Sequence, residues 1–305
     1  MPQRPEESSL ATGKVLYVLA RAVRIILPAV AFIVLSGCGA TTSKTPSTAS
    51  TTPAIGTDLL SEVRQRGTLV IASDANYSPQ SVRNADGTWS GFDVDVARQI
   101  ALRLGVKPVF ESANFDLIVR GHWLGRWDID VGSMSVTDER SKVLWFSKSY
   151  YSVPGAIAAR NGSDIKSIGD LTGRSVGVTA GTTFQSYAEG KLAGRIRLSD
   201  YRLRIVPYDT DVHALRDLGA GDGRRVDAVL TSVPTINSAI GSGIPIHIVG
   251  APVYEDRAAI ALDRSSDRES LSLLLAIDAI VDGMHKDGTL RRLSIKYYGA
   301  DLSKG

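Results

Sequence analysis

From Asp58 onward, short runs of β-prone residues alternate with segments whose apolar residues recur at helical spacing. A helix is predicted to begin at Asp93 and to end near Gly105, because apolar residues recur four positions apart between them. A last helix is predicted over about residues 270–284. Such alternation is typical of parallel sheets covered by helices, so the sequence predicts an α/β fold. The predicted strands are residues 68–72, 108–110, 128–131, 175–178 and 226–230.

The first 37 residues have the pattern of an export signal. Residues 25–35 are uncharged and mostly apolar, Arg21 and Arg24 precede them, and small residues follow. A basic region, an apolar region and a small-residue cleavage site form a secretory signal. The apolar run is shorter than the ~20 residues that a spanning helix needs. We therefore interpret residues 1–37 as a signal peptide, with an uncleaved membrane anchor as the alternative.

The only cysteine, Cys38, follows this segment directly, and a single cysteine excludes an internal disulfide framework. Residues 35–38, Leu-Ser-Gly-Cys, resemble the bacterial lipobox. That resemblance implies cleavage before Cys38 and attachment of diacylglycerol to its thiol. Residues 38–57 are rich in Thr, Ser, Pro, Ala and Gly, which bury too little apolar surface to fold. We expect them to form a flexible tether between a lipid anchor and an extracytoplasmic domain.

Charge and composition exclude several classes of protein. The formal net charge is +3, and the first 37 residues carry four basic and two acidic residues, so the remainder is nearly balanced. Such a balance does not favour nucleic-acid binding. A chain of 305 residues with 43% hydrophobic content is long enough for two cores. We expect neither a metal nor a cofactor, because no P-loop is present and four widely separated histidines offer no metal-ligand spacing: His122, His213, His247 and His285.

A series of motifs along most of the chain resembles the amino-acid-binding (family 3) solute-binding proteins of ABC importers. The motifs are RGTLV (66–70), DANYSP (74–79), GFDVDVA (91–97), GSMSVTDER (132–140), FSKSYY (146–151), DLTGRSVGV (170–178), GTT (181–183), VDAV (226–229), KDGTL (286–290) and YYG (297–299). The resemblance implies a two-lobed, periplasmic-binding-protein-like fold of type II, α/β with parallel-rich sheets. It also implies two hinge crossovers, near residues 153–160 and 247–257. The expected lobes are residues 58–156 with 250–305, and residues 157–249.

Arg140 is the first candidate for ligand binding. Thr137 can cap a helix whose first turn contains Arg140, which would direct the guanidinium toward the preceding strand end. A guanidinium binds a carboxylate through two parallel hydrogen bonds, and a helix N-terminus adds partial positive charge. In the family that the sequence resembles, the arginine of this Thr-x-x-Arg motif holds the ligand carboxylate. The alternative is a surface arginine in an ion pair.

Further candidates in the first lobe follow strand ends or are aromatic. Gly132, Ser133 and Ser135 lie just past a predicted strand, where open parallel sheets bind their ligands. Tyr77 and Phe115 match positions at which the family places aromatic rings around the aliphatic part of the ligand. An isolated aromatic residue is more often part of a core, which is the alternative for both.

In the second lobe the candidates are Thr179, Thr182 and Thr183, around a Gly-Thr-Thr loop between a predicted strand and helix. Free N–H groups at a helix start suit an anion. The resemblance implies that this loop contacts the ligand, whereas the alternative is a capped helix after an ordinary βα loop.

Two positions depart from the family pattern. Ser232 stands where relatives usually carry an aspartate that holds the ligand ammonium, and Gln80 stands where they usually have an aromatic residue. Ser232 stays among the candidate contacts, but a hydroxyl cannot supply the missing charge. We expect Asp74, beside Tyr77, to be the substitute partner. The alternative is a ligand without an α-ammonium group.

The resemblance implies the substrate-binding component of an ABC importer, monomeric and non-catalytic, which binds a small amino-acid-like ligand and docks on a permease. One alternative is an enzyme like cyclohexadienyl dehydratase, which uses a glutamate just after the equivalent loop. Gln185 stands there and has no proton to donate. A sensory receptor or a lytic transglycosylase would need a further domain, which we do not expect. A binding module that serves a partner protein is the remaining alternative.

Overall fold

The computed structural model describes residues 58–221 and 225–304. The predicted signal peptide, the lipidation of Cys38 and the predicted tether lie outside the described residues. No helix among those described is long and apolar enough to cross a membrane.

Eight α-helices and eleven strands make up the described part of the chain. The helices are α1 (Leu59–Arg66), α2 (Phe92–Leu104), α3 (Phe115–Val119), α4 (Thr183–Ala188), α5 (Asp211–Ala220), α6 (Val233–Gly241), α7 (Leu271–Lys286) and α8 (Thr289–Tyr298). The strands are β1 (Thr68–Ser73), β2 (Asn76–Tyr77), β3 (Ser81–Arg83), β4 (Trp89–Ser90), β5 (Lys107–Ser112), β6 (Ile129–Ser135), β7 (Leu144–Arg160), β8 (Ser175–Thr179), β9 (Arg204–Tyr208), β10 (Ala228–Ser232) and β11 (Ile246–Asp263).

Two long strands, β7 and β11, connect the lobes of this α/β fold. The main sheet has the order β5-β1-β6-β11-β7-β10-β8-β9, while β2, β3 and β4 form a small separate sheet. β1, β5 and β6 pair in parallel in the first lobe, as do β8, β9 and β10 in the second. β7 and β11 pair antiparallel with each other and with the flanking strands, so the sheet is mixed. Both predicted crossover segments lie within these two strands.

Alternate residues of the sheet pack into cores on its opposite faces, as the period of two along a strand requires. In β10, Ala228 and Leu230 join the largest core and Val229 joins a smaller one with α5 and α6. A third core packs Trp123 and Trp127 against the first-lobe strands. Because both faces are covered, the carboxyl ends of the parallel strands are the places left to form a site.

Candidate ligand-binding site

A cavity of about 480 Å³, its opening to solvent included, lies between the lobes where strands of both end. The structure brings ten of the eleven predicted contact residues together there. Its lining residues are Asp74, Tyr77, Phe115, Gly132, Ser133, Ser135, Arg140, Val153, Thr179, Thr182, Thr183, Phe184 and Asp211.

Arg140 is buried at the junction of the two lobes, with 7% of its surface exposed. Its guanidinium donates to the backbone oxygen of Ser135 at 2.8 Å and to that of Gly181, in the second lobe, at 2.8 Å. The guanidinium carbon also lies 5.3 Å from the centre of the Phe115 ring. In place of the helix predicted at Thr137, a 3₁₀ turn forms over Arg140–Lys142. The Thr137 hydroxyl still accepts a hydrogen bond from the Arg140 N–H, at 3.2 Å.

The charge of Arg140 is set by its surroundings. Burial lowers the pKa of the guanidinium, while the nearby carboxylates of Asp256 and Asp130 raise it. Two hydrogen bonds to carbonyl groups leave further N–H donors of the guanidinium available. Arg140 therefore presents a desolvated positive charge to the cavity, which is the chemistry required to bind a small carboxylate.

Asp256 joins the two lobes beside Arg140 and was not among the predicted site residues. Its Oδ2 accepts hydrogen bonds from Ser135 in the first lobe and Thr183 in the second, each at 2.5 Å. Its Oδ1 accepts from Tyr254 at 2.7 Å. Asp256 belongs to the connecting strand β11, so this carboxylate joins the hinge strand to one cavity-lining residue of each lobe.

A second polar network supports the cavity floor around Ser133. This residue has a left-handed backbone (φ +55°), unusual for a non-glycine residue. Its hydroxyl donates to Asp93 at 2.6 Å, and its N–H donates to the hydroxyl of Tyr150, which donates to Asp93 at 2.8 Å. Burial raises the pKa of Asp93 to about 6, although these two hydroxyls oppose the shift. Gly132 leaves room for Asp130, since a Cβ there would lie 2.8 Å from the Asp130 Oδ1.

The second-lobe part of the cavity is the loop between β8 and α4. The Thr182 hydroxyl caps α4 by accepting from the Gln185 N–H at 3.2 Å. The side-chain oxygen of Gln185 accepts from the Gly181 N–H at 2.9 Å, and its nitrogen donates to Glu189. Gln185 therefore closes the turn and does not line the cavity.

Ser232 is the predicted contact that the cavity does not include. It is fully buried and caps α6 by accepting from the Thr235 N–H at 3.2 Å. Its hydroxyl is also hydrogen-bonded to the side-chain amide of Gln80, at 3.1 Å. The two positions that depart from the family pattern are thus in contact with each other across the lobes.

Asp74 and Tyr77, both from the DANYSP segment of the first lobe, line this cavity. Burial raises the pKa of Tyr77 well above its usual value, and raises that of Asp74. One carboxylate oxygen of Asp74 accepts from the Asn76 N–H at 2.8 Å. The cavity residues that sequence reasoning missed are Val153, Phe184 and Asp211.

Two α/β lobes joined by two long strands, with a polar cavity between them, define the class of two-lobed binding proteins. The profile of the bacterial extracellular solute-binding proteins, family 3, matches residues 69–300, and the chain belongs to this family.

Relatives and solved structures agree with this membership. The chain is 29% identical over 249 residues to the L-cystine-binding protein TcyJ of Escherichia coli, covering 81% of this chain and 88% of TcyJ. It is 26% identical to the L-arginine-binding protein of Pseudomonas aeruginosa, with 76% and 88% covered. An ancestral arginine-binding protein bound to arginine has a TM-score of 0.67 and 30% identity, with 76% and 99% covered. The ancestral amino acid-binding protein AncCDT-1, a precursor of cyclohexadienyl dehydratase, has a TM-score of 0.67 and 28% identity, with 78% and 99% covered.

Proposed function

We propose that this chain is the substrate-binding component of an ABC importer and that it captures an amino acid or a similar small carboxylate between its lobes. The observation that carries the proposal is the buried guanidinium of Arg140, which lines the cavity and bonds to the second lobe at Gly181. The names of the relatives support an amino acid as the ligand.

In the proposed mechanism Arg140 and the first lobe bind the carboxylate, and the loop from Thr179 to Thr183 then closes over the ligand. Closure forms the contacts of Asp256 with Ser135 and Thr183. A ligand that prefers the closed state shifts the population toward it, and the closed form docks on the permease. No covalent step is involved.

The proposal includes export, removal of residues 1–37, lipid attachment at Cys38 and action as a monomer outside the cytoplasm. The lipobox resemblance supports the lipid anchor. Uptake also requires an ABC permease in the membrane as the partner. Residues 58–156 with 250–305 would move against residues 157–249 when the cleft opens.

A thermal-shift screen tests the proposal directly. The full chain is heated with each of the common L-amino acids, with opines and with related carboxylates. A ligand at a hundredfold excess over its dissociation constant should stabilise the fold by ~2.7 kcal/mol, which gives a measurable rise in Tm. If none of these compounds raises the Tm, the proposed function is wrong.

The enzymatic alternative has a separate test. The dehydratase role would require an acid at position 185, but Gln185 carries an amide that is already hydrogen-bonded to Gly181. We expect the chain to leave prephenate and arogenate unchanged. Conversion of either compound, lost in a Gln185→Ala variant, would establish the enzyme instead.

A further inference from the structure

The cavity contains a carboxylate to which nothing above assigns a role. Asp211 is the first residue of α5, lines the cavity from the second lobe and is only 6% exposed. Its Oδ1 is buried and has no hydrogen-bond partner among residues 58–221 and 225–304. The hydroxyl of Thr179, another lining residue, is also buried and has no partner within normal hydrogen-bond distance in the same ranges, although it lies near enough to Asp211 to lower the pKa of that carboxyl group. Buried polar atoms without partners are rare because their desolvation is not offset.

The position of Asp211 follows from the sheet. β9, β8 and β10 are parallel, so their carboxyl ends lie at one edge of the second lobe. Ser232 ends β10 at this edge, but its hydroxyl is already bonded to Gln80 and Thr235 and is closed off from the cavity. Asp211 follows β9 at the same edge and does face the cavity. A carboxylate is therefore available there, although not at position 232.

The charges around the cavity require a cation. Arg140 is the cationic residue among the lining residues of the described chain, and it already lies near the carboxylate of Asp256. Asp74 and Asp211 line the same cavity, and the negative charge of Asp74 adds to burial in raising the pKa of Asp211. A ligand that brought only a carboxylate would add negative charge to this site. A ligand that also carries an ammonium group would offset it.

We propose that Asp211 binds the ammonium group of the ligand, with the hydroxyl of Thr179 as a second acceptor, while Arg140 binds the carboxylate. The inference rests on the proposed function. An ammonium group has three N–H donors, so it can satisfy both unpaired oxygens and keep a donor for Asp74 or the backbone. Because Asp211 and Asp74 belong to different lobes, a cation between them also relieves their repulsion and favours closure.

The titration behaviour of the site agrees with this role. Burial raises the pKa of Asp211 to about 6, the hydroxyls of Thr231 and Thr179 lower it, and the charge of Asp74 raises it further. Burial raises the pKa of Tyr77, on the opposite lobe, and the charge of Asp211 raises it further. A bound ammonium group favours the charged form, so binding is expected to release protons near pH 6.

Isothermal titration of the full chain at pH 7.5 tests the assignment. The probes are L-arginine, L-histidine and L-glutamine, each paired with the acid that lacks only the α-amino group: 5-guanidinopentanoate, 3-(imidazol-4-yl)propanoate and 4-carbamoylbutanoate. Removing one partner of a buried charge pair costs about 2 kcal/mol or more. Asp211→Asn should therefore weaken binding of the preferred amino acid at least about 30-fold. It should change binding of its deaminated partner by less than about threefold, which also shows that the variant is folded.

Two further variants separate the outcomes. Asp209→Asn changes an exposed carboxylate two residues away and should bind like the wild type. If Asp74→Asn shows the selective loss and Asp211→Asn does not, Asp74 holds the ammonium and the assignment is overturned. An equal loss for both members of a probe pair in Asp211→Asn also overturns it. Failure of the wild type to bind these probes or any compound of the thermal-shift screen contradicts the proposed function, and the assignment of Asp211 falls with it.

Discussion

The side-chain amide of Gln80 is hydrogen-bonded across the cleft to the hydroxyl of Ser232, at 3.1 Å. Both side chains are fully buried, and Thr235 completes the cluster with its hydroxyl 2.7 Å from that of Ser232. Gln80 precedes β3 of the small sheet in the first lobe, whereas Ser232 ends β10 and caps α6. In this conformation the pair therefore forms a direct hydrogen bond between the two lobes, beside the cavity.

Ser232→Ala tests this contact. The change removes the N-cap of α6 and leaves the Gln80 amide without its partner, so we expect a loss of about 1–2 kcal/mol in the free energy of unfolding. Urea denaturation measures it. Ser242→Ala is the control, because the side chain of this exposed serine, at the other end of the helix, donates to the Ser238 carbonyl group on the same helix. Equal stability of wild type and Ser232→Ala would show that the contact is unimportant.

The ligand-free protein should become less stable as the pH rises from about 4 to about 6. Burial raises the pKa of Asp211 and of Asp93 from 3.8 to about 6. Between these values the folded state keeps protons that the unfolded state has released, so the free energy of unfolding falls with rising pH. Each group contributes at most about 3 kcal/mol to this change.

Asp211→Asn should remove the contribution of Asp211 to this fall in the free energy of unfolding with rising pH. The variant is expected to be more stable than the wild type at pH 7 in the absence of ligand, by up to about 3 kcal/mol, and equally stable near pH 4. Urea denaturation at both pH values measures the difference, with Asp209→Asn as the exposed control. A variant that is less stable than the wild type at pH 7 would mean that charged Asp211 already has a stabilising partner in the protein.

Gly155→Ala should disturb the cavity from the connecting strand β7. A Cβ at Gly155 would lie 2.5 Å from the ring of Phe184, which lines the cavity. The ring must shift, so we expect a loss of about 1–3 kcal/mol in stability and weaker ligand binding. Gly241→Ala, in α6 with open space around the new Cβ, should change neither. Thermal unfolding with and without ligand compares the two variants. Unchanged binding by Gly155→Ala would show that Phe184 does not contribute to ligand binding.

Cys38→Ala should detach the protein from the membrane. The diacylglycerol proposed on Cys38 would supply two chains, which are enough for stable anchoring. We expect the wild-type protein in the membrane fraction, with the mass of a lipid-modified chain that begins at residue 38, and the variant without that modification. An unmodified Cys38 within an intact chain would establish the uncleaved anchor.

The elements that depend on local pattern could be predicted from the sequence. β1 was predicted to end at Ala72 and ends at Ser73, and the helix predicted from Asp93 begins at Phe92. The strand depends on a β-prone run after Gly67, and the helix depends on apolar spacing and a stop at Gly105, all within short segments. The 3₁₀ turn at Arg140 was less predictable, because the next strand, β7, begins at Leu144 and leaves no room for a longer helix.

The site was predictable to the extent that strand ends determine it. The candidates Gly132, Ser133 and Ser135 lie within the C-terminal half of β6, which runs to Ser135 and is longer than predicted, and they line the cavity together with the loop after β8. Parallel strands bring their carboxyl ends together, which explains this meeting. The exclusion of Ser232 from the cavity could not be predicted, because the residue that covers its hydroxyl, Gln80, lies 152 residues earlier in the chain. Asp211 follows the capping residue Thr210, a pattern that also describes any ordinary helix start. The parallel pairing of β9 with β8 places that helix start at the edge of the sheet where the cavity lies.

Arg140→Ala provides the most direct test of ligand capture between the lobes. Isothermal titration compares this variant with the wild type and with Arg120→Ala, an exposed arginine in an ion pair at the end of α3. With the amino acid that stabilises the wild type, we expect at least about 30-fold weaker binding for Arg140→Ala and no change for Arg120→Ala. Wild-type affinity in Arg140→Ala would contradict carboxylate capture by the buried guanidinium.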